Sequence, residues 1–212
     1  MKVTIVGAGN MGRAIGTRAV AGGHEVEIIA NDPSHAQKLA SELGGSATAL
    51  EAGAPFGGEV VVFAVYYPGI KDAVRQYADQ LAGKVVVDIT NPLDTQTWDS
   101  LVTPAGTSSA EEVAELVGEG TPVVKAFNTT FAPTLVAGQV GDQRLDVLIA
   151  GDDDAAKGKV AQLASDGGLR PLDVGTLRRA QQLEQLGFLH LHISLQQPLN
   201  LGFGSTIKLV GG

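Results

Sequence analysis

Hydrophobic positions along the chain fall in short runs that are almost unbroken in Val and Ile, with few polar residues alternating between them. Unbroken runs of this kind are typical of strands that are covered on both faces, whereas half-exposed strands alternate. The predicted strands cover residues 2–6, 25–30, 59–65, 84–90, 121–126 and 145–150. The pattern therefore predicts a buried, parallel sheet.

Helical patterns fill most of the gaps between these runs. The predicted helices cover residues 11–21, 33–43, 69–81, 109–116 and 153–164. Ser109 precedes two glutamates, which are favourable charges near a helix N-terminus. Strands that alternate with helices in this way predict an α/β fold with a doubly wound parallel sheet and right-handed crossovers.

The alternation weakens after Asn128. Residues 129–143 are typical of a loop with a short helix, and residues 169–174 predict a strand that Pro171 places near a sheet edge. Residues 178–196 predict a long helix that is apolar around much of its circumference. We therefore expect this helix to be largely buried, and a second subunit is one candidate for the surface that it packs against. We therefore predict a main domain over residues 1–130 and a small C-terminal α+β extension over residues 131–212.

The composition excludes several classes of protein. The chain has 212 residues, 44% of them hydrophobic, and a net charge of −8, which is typical of a soluble globule and unfavourable for nucleic-acid binding. The lack of cysteine excludes disulfides and thiolate-held clusters, and four scattered histidines are a poor zinc set, so we predict no metal site. No apolar run reaches the roughly 20 residues of a membrane span, and the N-terminus does not resemble a secretory signal, so we expect a cytoplasmic protein.

A glycine-rich loop follows the first predicted strand and opens the first predicted helix. In the pattern G-x-G-x-x-G it contains Gly7, Gly9, Asn10, Met11 and Gly12. The first glycine permits a tight turn, the second lets a pyrophosphate approach the backbone, and the third lets helix and strand pack closely. The loop predicts that the main domain is a dinucleotide-binding domain of the Rossmann type. The alternative is a tight turn without a ligand.

The end of the second predicted strand is expected beside the adenosine ribose of a dinucleotide. Asp32 lies 20 residues after Gly12 and directly follows Asn31. A carboxylate at this place binds both ribose hydroxyls of NAD and repels the 2′-phosphate of NADP. The alternative is that Asn31 and Asp32 belong to a turn in which Asp32 caps the next helix.

Other strand ends complete the predicted crevice, because ligands of doubly wound sheets bind outside the carboxyl ends of the strands. Ala64, Val65 and Tyr66 are expected near the ribose and pyrophosphate. Asn91, Pro92 and Asn128 supply amides and a rigid turn near the nicotinamide. The alternative is that each of these groups only forms a loop.

The chain offers no convincing group for acid–base catalysis. His24, His35, His190 and His192 are each interpreted as structural, and His190 and His192 are two residues apart, so they face different sides of a helix. Lys125 lies inside a strand, and the aspartates at 152–154 are expected to cap a helix. We therefore predict no catalytic side chain. Hydride transfer between a nicotinamide and a flavin-like ring needs little more than stacking and exclusion of water.

Several segments together resemble the NADP oxidoreductase family dependent on coenzyme F420. They are residues 7–12, 23–26, 85–92, 123–129 and 168–175. The segment 123–129 is also similar to the cytosolic oxidoreductase domain of the six-transmembrane metalloreductases. The resemblance implies NADP(H) as coenzyme and a homodimer in which the nicotinamide stacks on a deazaflavin or flavin ring. Family members usually carry Ser or Thr and then Arg or Lys after the second strand, whereas this chain has Ala30, Asn31 and Asp32, so NAD(H) is the second candidate coenzyme.

The resemblance also implies where the acceptor ring binds. It places the ring in a pocket that the C-terminal extension completes, against Thr129, Thr130, Phe131, Leu201, Gly202, Phe203 and Gly204. The sequence thus predicts an oxidoreductase that transfers hydride between NAD(P)H and a deazaflavin or flavin. Two alternatives stay open: an imine reductase related to pyrroline-5-carboxylate reductase, and a dinucleotide sensor without catalysis.

Overall fold

The computed structural model describes residues 1–196 and 199–210. Residues 197–198 and 211–212, which belong to the predicted extension, lie outside the described residues. The strands are β1 (Lys2–Val6), β2 (Glu25–Ile29), β3 (Ala47–Leu50), β4 (Val60–Phe63), β5 (Val85–Asp88), β6 (Val123–Lys125), β7 (Gln139–Val140), β8 (Gln143–Arg144), β9 (Asp146–Gly151) and β10 (Arg170–Gly175). The helices are α1 (Asn10–Ala21), α2 (Pro33–Leu43), α3 (Tyr67–Leu81), α4 (Ser109–Val117), α5 (Ala132–Ala137), α6 (Asp154–Asp166) and α7 (Ala180–Leu195), and short 3₁₀ turns cover Leu177–Arg179 and Gly202–Gly204.

Eight strands form one sheet in the order β3-β2-β1-β4-β5-β6-β9-β10. The first six are parallel, and their order is that of the Rossmann fold. The predicted α/β, Rossmann-type doubly wound fold is therefore confirmed. Continuous Val and Ile runs form the central strands, and every residue of β4 and β5 is buried.

Helices cover the sheet on both faces. On one face, residues of α1, α2 and α6 pack with Val3, Ile5 and Val62 in a single apolar cluster. On the other face, residues of α3 and α4 pack with Val61 and Phe63. This double covering explains why the strands show no polar alternation.

The sheet differs from the fully parallel prediction at β9. This strand runs antiparallel to β6, with Val124 opposite Gly151, and β10 is parallel to β9. A parallel neighbour would need a crossover that carries the chain back along the sheet to the end at which β6 begins. The connection instead contains only α5, which has six residues, and the β7–β8 hairpin, so the chain re-enters the sheet from the end at which β6 finishes.

Two further local predictions were incomplete. The edge strand β3 was not predicted, because Ala47–Leu50 contains no Val or Ile run and is only half buried. The long helix α7 buries one face, which contains Leu183, Gly187 and His190, but it leaves Leu189 and Leu195 exposed. The expectation of a largely buried helix is therefore wrong for the chain on its own.

The C-terminal part of the chain contributes β9 and β10 to the same sheet as the strands before residue 130. The predicted edge strand is β10, and Pro171 lies within it next to β9 only. The division into units at 1–130 and 131–212 stays a prediction.

Candidate functional site

The glycine loop joins β1 to α1, and its three glycines differ in their surroundings. Gly7 has a φ of +120°, and a Cβ there would lie 2.3 Å from the carbonyl oxygen of Ala64. A Cβ at Gly12 would lie 2.0 Å from the carbonyl oxygen of Gly7. A Cβ at Gly9 would meet nothing within 4 Å. The first and third glycines are therefore required by packing within the chain, whereas the second faces open space.

The N-terminus of α1 opens onto the same space. Gly9 occupies the cap position, and no side chain caps the helix. The first N–H groups of a helix lack partners within the helix, and the helix dipole makes them favourable for an anion. Asn10 and Met11 begin this helix, so their backbone N–H groups lie at its N-terminus, and their binding of a phosphate stays a prediction.

A cleft of about 820 Å³ lies on one side of the glycine loop, and we call it the adenosine-side cleft. The predicted residues that line it are Gly7, Gly9, Asn31, Asp32, Val65 and Tyr66. Its further lining includes Arg13, His35 and Lys38, which the sequence analysis did not single out as site residues. His35 and Lys38 are three residues apart on α2, so their helical spacing is a signal that would have found them.

A smaller cleft of about 220 Å³ lies on the other side of the loop, and we call it the nicotinamide-side cleft. The predicted residues that line it are Gly9, Asn10, Met11, Ala64, Val65, Tyr66 and Asn91. The two clefts share Gly9, Val65 and Tyr66. The Tyr66 ring is 90% exposed at this junction. The two clefts thus adjoin at the loop, and the predicted coenzyme residues that line them follow β1, β2, β4 and β5; we call the two clefts together the groove.

Asn91 and Asn128 meet at the ends of β5 and β6. Asn91 Nδ2 donates to the Asn128 carbonyl oxygen at 2.8 Å, and Asn128 Nδ2 donates to Asn91 Oδ1 at 2.9 Å and to the Leu183 carbonyl oxygen at 2.9 Å. Asn91 lines the nicotinamide-side cleft, whereas Asn128 and Pro92 are buried and line neither cleft. Gly187 of α7 packs on this pair, because a Cβ there would lie 2.8 Å from Asn91 Oδ1.

The backbone that positions Asn128 is unusual. The preceding residue, Phe127, is buried and has a φ of +62°, a conformation that bulky residues rarely adopt. The turn at Phe127 follows β6 by two residues and places Asn128 against Asn91. No sequence signal predicts a left-handed phenylalanine.

Two of the predicted acceptor segments meet around Phe131. Its ring centroid lies 5.2 Å from that of Phe203, in a T-shaped arrangement, and 4.3 Å from that of His190. Thr129 and Thr130 are buried beneath, whereas Leu201, Phe203 and Gly204 are exposed and Gly202 is half-buried. None of these residues lines either of the two clefts described above.

His190 connects α7 to both segments. Nδ1 lies 3.2 Å from the Thr129 carbonyl oxygen, and Nε2 lies 3.0 Å from Ser205 Oγ. Burial lowers the pKa of His190, although the hydrogen bond to Thr129 opposes this shift. The imidazole is therefore neutral at pH 7, with Nδ1 as the donor to Thr129. His192 lies on another side of α7 and is half-buried beside Asp99.

Lys125 is fully enclosed. Its Nζ donates to Asp88 Oδ2 at 2.9 Å, to Glu184 Oε1 at 2.7 Å and to the Thr90 carbonyl oxygen at 2.5 Å. Burial raises the pKa of Glu184, and the Lys125 ammonium opposes this shift. An ammonium with three partners and no exposure has no accessible proton to exchange with a ligand.

The remaining titratable candidates also have structural roles. His24 is buried between the N-terminal amine and Asp166. Asp153 caps α6 by accepting from the backbone N–H of Ala156 at 2.7 Å, as predicted. Asp32 accepts from the backbone N–H of Ser34 at 2.8 Å and caps α2, yet it also lines the adenosine-side cleft. The two interpretations of Asp32 are thus compatible.

The described part of the chain contains no helix with the length and apolar character that crossing a bilayer requires.

Comparison with known proteins identifies relatives over the whole site. The family model described as NADP oxidoreductase, coenzyme F420-dependent, matches residues 2–92. The chain is 34% identical over 203 residues to the metalloreductase STEAP3 of Rattus norvegicus, covering 96% of this chain and 39% of that protein. It is 31% identical over 133 residues to an F420-dependent NADP reductase of Methanocaldococcus jannaschii, covering 61% of this chain and 59% of that protein.

A solved structure extends the likeness over the full fold. A candidate F420-dependent NADP reductase from Arthrobacter sp. FB24 superposes with a TM-score of 0.79 at 27% identity, covering 92% of this chain and 93% of that one. The chain spans about two fifths of the rat protein and three fifths of the archaeal one. Residues 2–92, which contain the glycine loop and the first strands of the sheet, are thus similar to the coenzyme F420-dependent NADP oxidoreductases, and the whole fold is similar to that of a candidate reductase of this kind.

Proposed function

We propose that this protein transfers hydride between a nicotinamide dinucleotide and a deazaflavin or flavin ring that stack directly on each other. The observation that carries the proposal is the lining of the nicotinamide-side cleft, which combines apolar side chains, such as Met11 and Ile89, with the Asn91 amide. Such a lining holds and shields planar rings but offers little for proton transfer.

The glycine loop fits a dinucleotide. Open space above Gly9 and the uncapped N-terminus of α1 leave room and donors for a pyrophosphate. Asp32 and Asn31 would bind the adenosine ribose, and Val65 and Tyr66 would hold the coenzyme where the two clefts join. Asn91 would face the carboxamide end, while Asn128 would hold Asn91 in place.

The nearby titratable groups support a reaction without a catalytic acid or base. Tyr67 lines the nicotinamide-side cleft, but its hydroxyl donates to Glu112 at 2.9 Å, and burial raises its pKa. Lys125 is saturated by three acceptors. A bound nicotinamide supplies or accepts the hydride, and the chain's residues orient the rings and exclude water.

The acceptor ring is proposed to bind against the Phe131 and Phe203 rings. Phe203 is about half exposed, and the ring of the buried His190 packs against the Phe131 ring. Aromatic faces of this kind stack on planar ligands. We further propose a cytoplasmic homodimer, in which the exposed Leu189 and Leu195 of α7 are covered by a second copy.

The test is an absorbance assay at the nicotinamide band with NADH or NADPH and, in turn, oxidised F420, FMN and FAD. We expect bleaching with at least one ring. Phe203→Ala should lower turnover about tenfold or more and leave coenzyme binding unchanged. The matched control is Trp98→Ala, which removes an equally exposed aromatic ring outside both clefts and should leave turnover unchanged.

Other outcomes would replace the proposal. Turnover of a cyclic imine without turnover of any flavin-type ring would indicate an imine reductase. Coenzyme binding without any acceptor would indicate a sensor. Failure to bind either coenzyme in calorimetry would remove the dinucleotide function altogether.

A further inference from the structure

We infer that this protein selects NAD(H) over NADP(H) and that Asp32 is the residue that determines this specificity; the inference rests on the proposed dinucleotide function. The family model that matches residues 2–92 is named for NADP, so the inference separates this chain from those relatives. It depends on where the Asp32 carboxylate lies, how it is held, and which charges surround it.

The carboxylate lies where a ribose is expected. Asp32 follows the carboxyl end of β2, separated from Ile29 by two residues, and it lines the adenosine-side cleft with its side chain about half exposed. In doubly wound sheets an acidic residue at this strand end accepts hydrogen bonds from the 2′- and 3′-hydroxyls of the adenosine ribose.

The carboxylate is also fixed and charged. Oδ1 accepts from the backbone N–H of Ser34 at 2.8 Å, so the cap of α2 holds the side chain in one orientation. Hydrogen bonding from Ser34, through its side chain and its backbone, lowers the pKa of Asp32. A fixed anion is an acceptor for a diol and repels a phosphate, which carries up to two negative charges at pH 7.

Three basic side chains also line the cleft. His35 Nε2 lies 4.0 Å from Asp32 Oδ2, so this imidazole already faces the carboxylate. Arg13 forms an ion pair with Glu42, which also lines the cleft. Within residues 1–196 and 199–210, Lys38 forms no ion pair, but it lies six residues after Asp32, about 9 Å further along α2 at 1.5 Å per residue. A 2′-phosphate beside the ribose would therefore lie next to the Asp32 carboxylate, whereas the Lys38 backbone lies more than one helical turn further along α2.

The experiment is calorimetric binding of NADH and NADPH, repeated with ADP-ribose and 2′-phospho-ADP-ribose, which carry no redox group. We expect the ligands without the 2′-phosphate to bind the native protein at least tenfold more tightly. Asp32→Asn keeps an oxygen that caps α2 but removes the charge. It should reduce the ratio of the NADH affinity to the NADPH affinity about tenfold, mainly because NADPH binds more tightly. Lys38→Ala should change the two affinities by the same small factor.

Asp153→Asn is the matched control, because Asp153 is also a helix-capping aspartate but lies outside both clefts. It should leave the ratio unchanged. Tighter binding of NADPH by the native protein would overturn the inference and leave the proposed function intact, as would an equal effect of Asp32→Asn on both coenzymes. A selective loss of NADPH binding in Lys38→Ala, together with a native preference for NADPH, would assign specificity to Lys38 instead. Failure of all four ligands to bind would overturn the proposed function itself.

Discussion

The groove around the glycine loop and the buried charged layer beneath α7 differ in whether their polar groups have partners within the protein. The groove around the glycine loop leaves helix N–H groups uncapped and the carboxylate of Asp32 half exposed. The layer between β5, β6 and α7, formed by Asp88, Lys125 and Glu184, satisfies its charges internally and exposes none of them. Unpaired donors indicate where a ligand binds, whereas paired and buried charges fix how the elements dock.

The largest effect is expected from opening the buried layer. Lys125→Ala leaves Asp88 and Glu184 buried without a cation, so the free energy of unfolding should fall by about 3–5 kcal/mol. Urea denaturation measures it. The control is Lys159→Ala, whose partner Glu59 is solvent-exposed, and its cost should stay below about 1 kcal/mol. If both variants lost the same unfolding free energy, burial of the Asp88, Lys125 and Glu184 cluster would not increase the cost of removing its cation.

A smaller loss is expected at the packed glycine of the loop. The Cβ of Gly12→Ala would lie 2.0 Å from a backbone oxygen that cannot move alone, so the loop and α1 must shift. Overpacking of this kind costs about 1–3 kcal/mol. Both the free energy of unfolding and the coenzyme affinity should decrease. Retention of native stability would contradict the packing role of Gly12.

Acid should weaken the contacts that hold the C-terminal residues Lys208 and Leu209 to Asp146. Asp146 is buried and accepts from Arg170 Nε at 2.7 Å and from Lys208 Nζ at 2.5 Å. Burial alone would raise its pKa, but these hydrogen bonds lower it from 3.8 to about 2. The carboxylate therefore contributes stability above pH 4, about 2 kcal/mol, and this contribution is lost as the pH falls through 2.

The measurement is the difference in unfolding free energy between the native protein and Asp146→Asn at pH 6 and pH 2.5. The difference should shrink at the lower pH. A difference that does not change with pH would mean that the contacts of Asp146 do not depend on its charge.

The smallest change in stability is expected at the glycine that faces open space. Gly9→Ala places its Cβ where no atom lies within 4 Å, and its backbone has an ordinary negative φ. Stability should stay within about 0.5 kcal/mol of the native value or rise slightly, because alanine restricts the unfolded chain. Coenzyme affinity should nevertheless fall about tenfold in calorimetry. Unchanged affinity would indicate that no pyrophosphate lies against Gly9.

The central fold could be predicted from the sequence because strands that are buried on both faces consist of nearly unbroken apolar runs. Strands β4 and β5 are runs of Val, and the helix between them has a regular apolar face. The edge strand β3 shows no such run, since Ala47–Leu50 is half exposed. Strand β9 was predicted from its apolar run, but its reversed direction was not, because the direction of a buried strand does not change its composition.

In the candidate site, too, some features could be predicted from the sequence and others could not. The spacing of Gly7, Gly9 and Gly12 predicts the turn, because the roles of the three glycines depend on local backbone geometry. The mutual pairing of Asn91 and Asn128 depends on a left-handed Phe127 and on the close approach of α7 at Gly187. These are contacts between distant segments, and no local pattern encodes them.

The reversed direction of β9 has an electrostatic consequence for the groove. β9 ends opposite the beginning of β6. The three consecutive aspartates at 152–154 therefore lie at the end of the sheet where the parallel strands start. A parallel β9 would have delivered them to the end of the sheet where those strands finish, which is also the end at which the N-terminus of α1 lies. Because β9 is antiparallel, the negative field of these aspartates lies a full strand length away from a diphosphate bound at the N-terminus of α1.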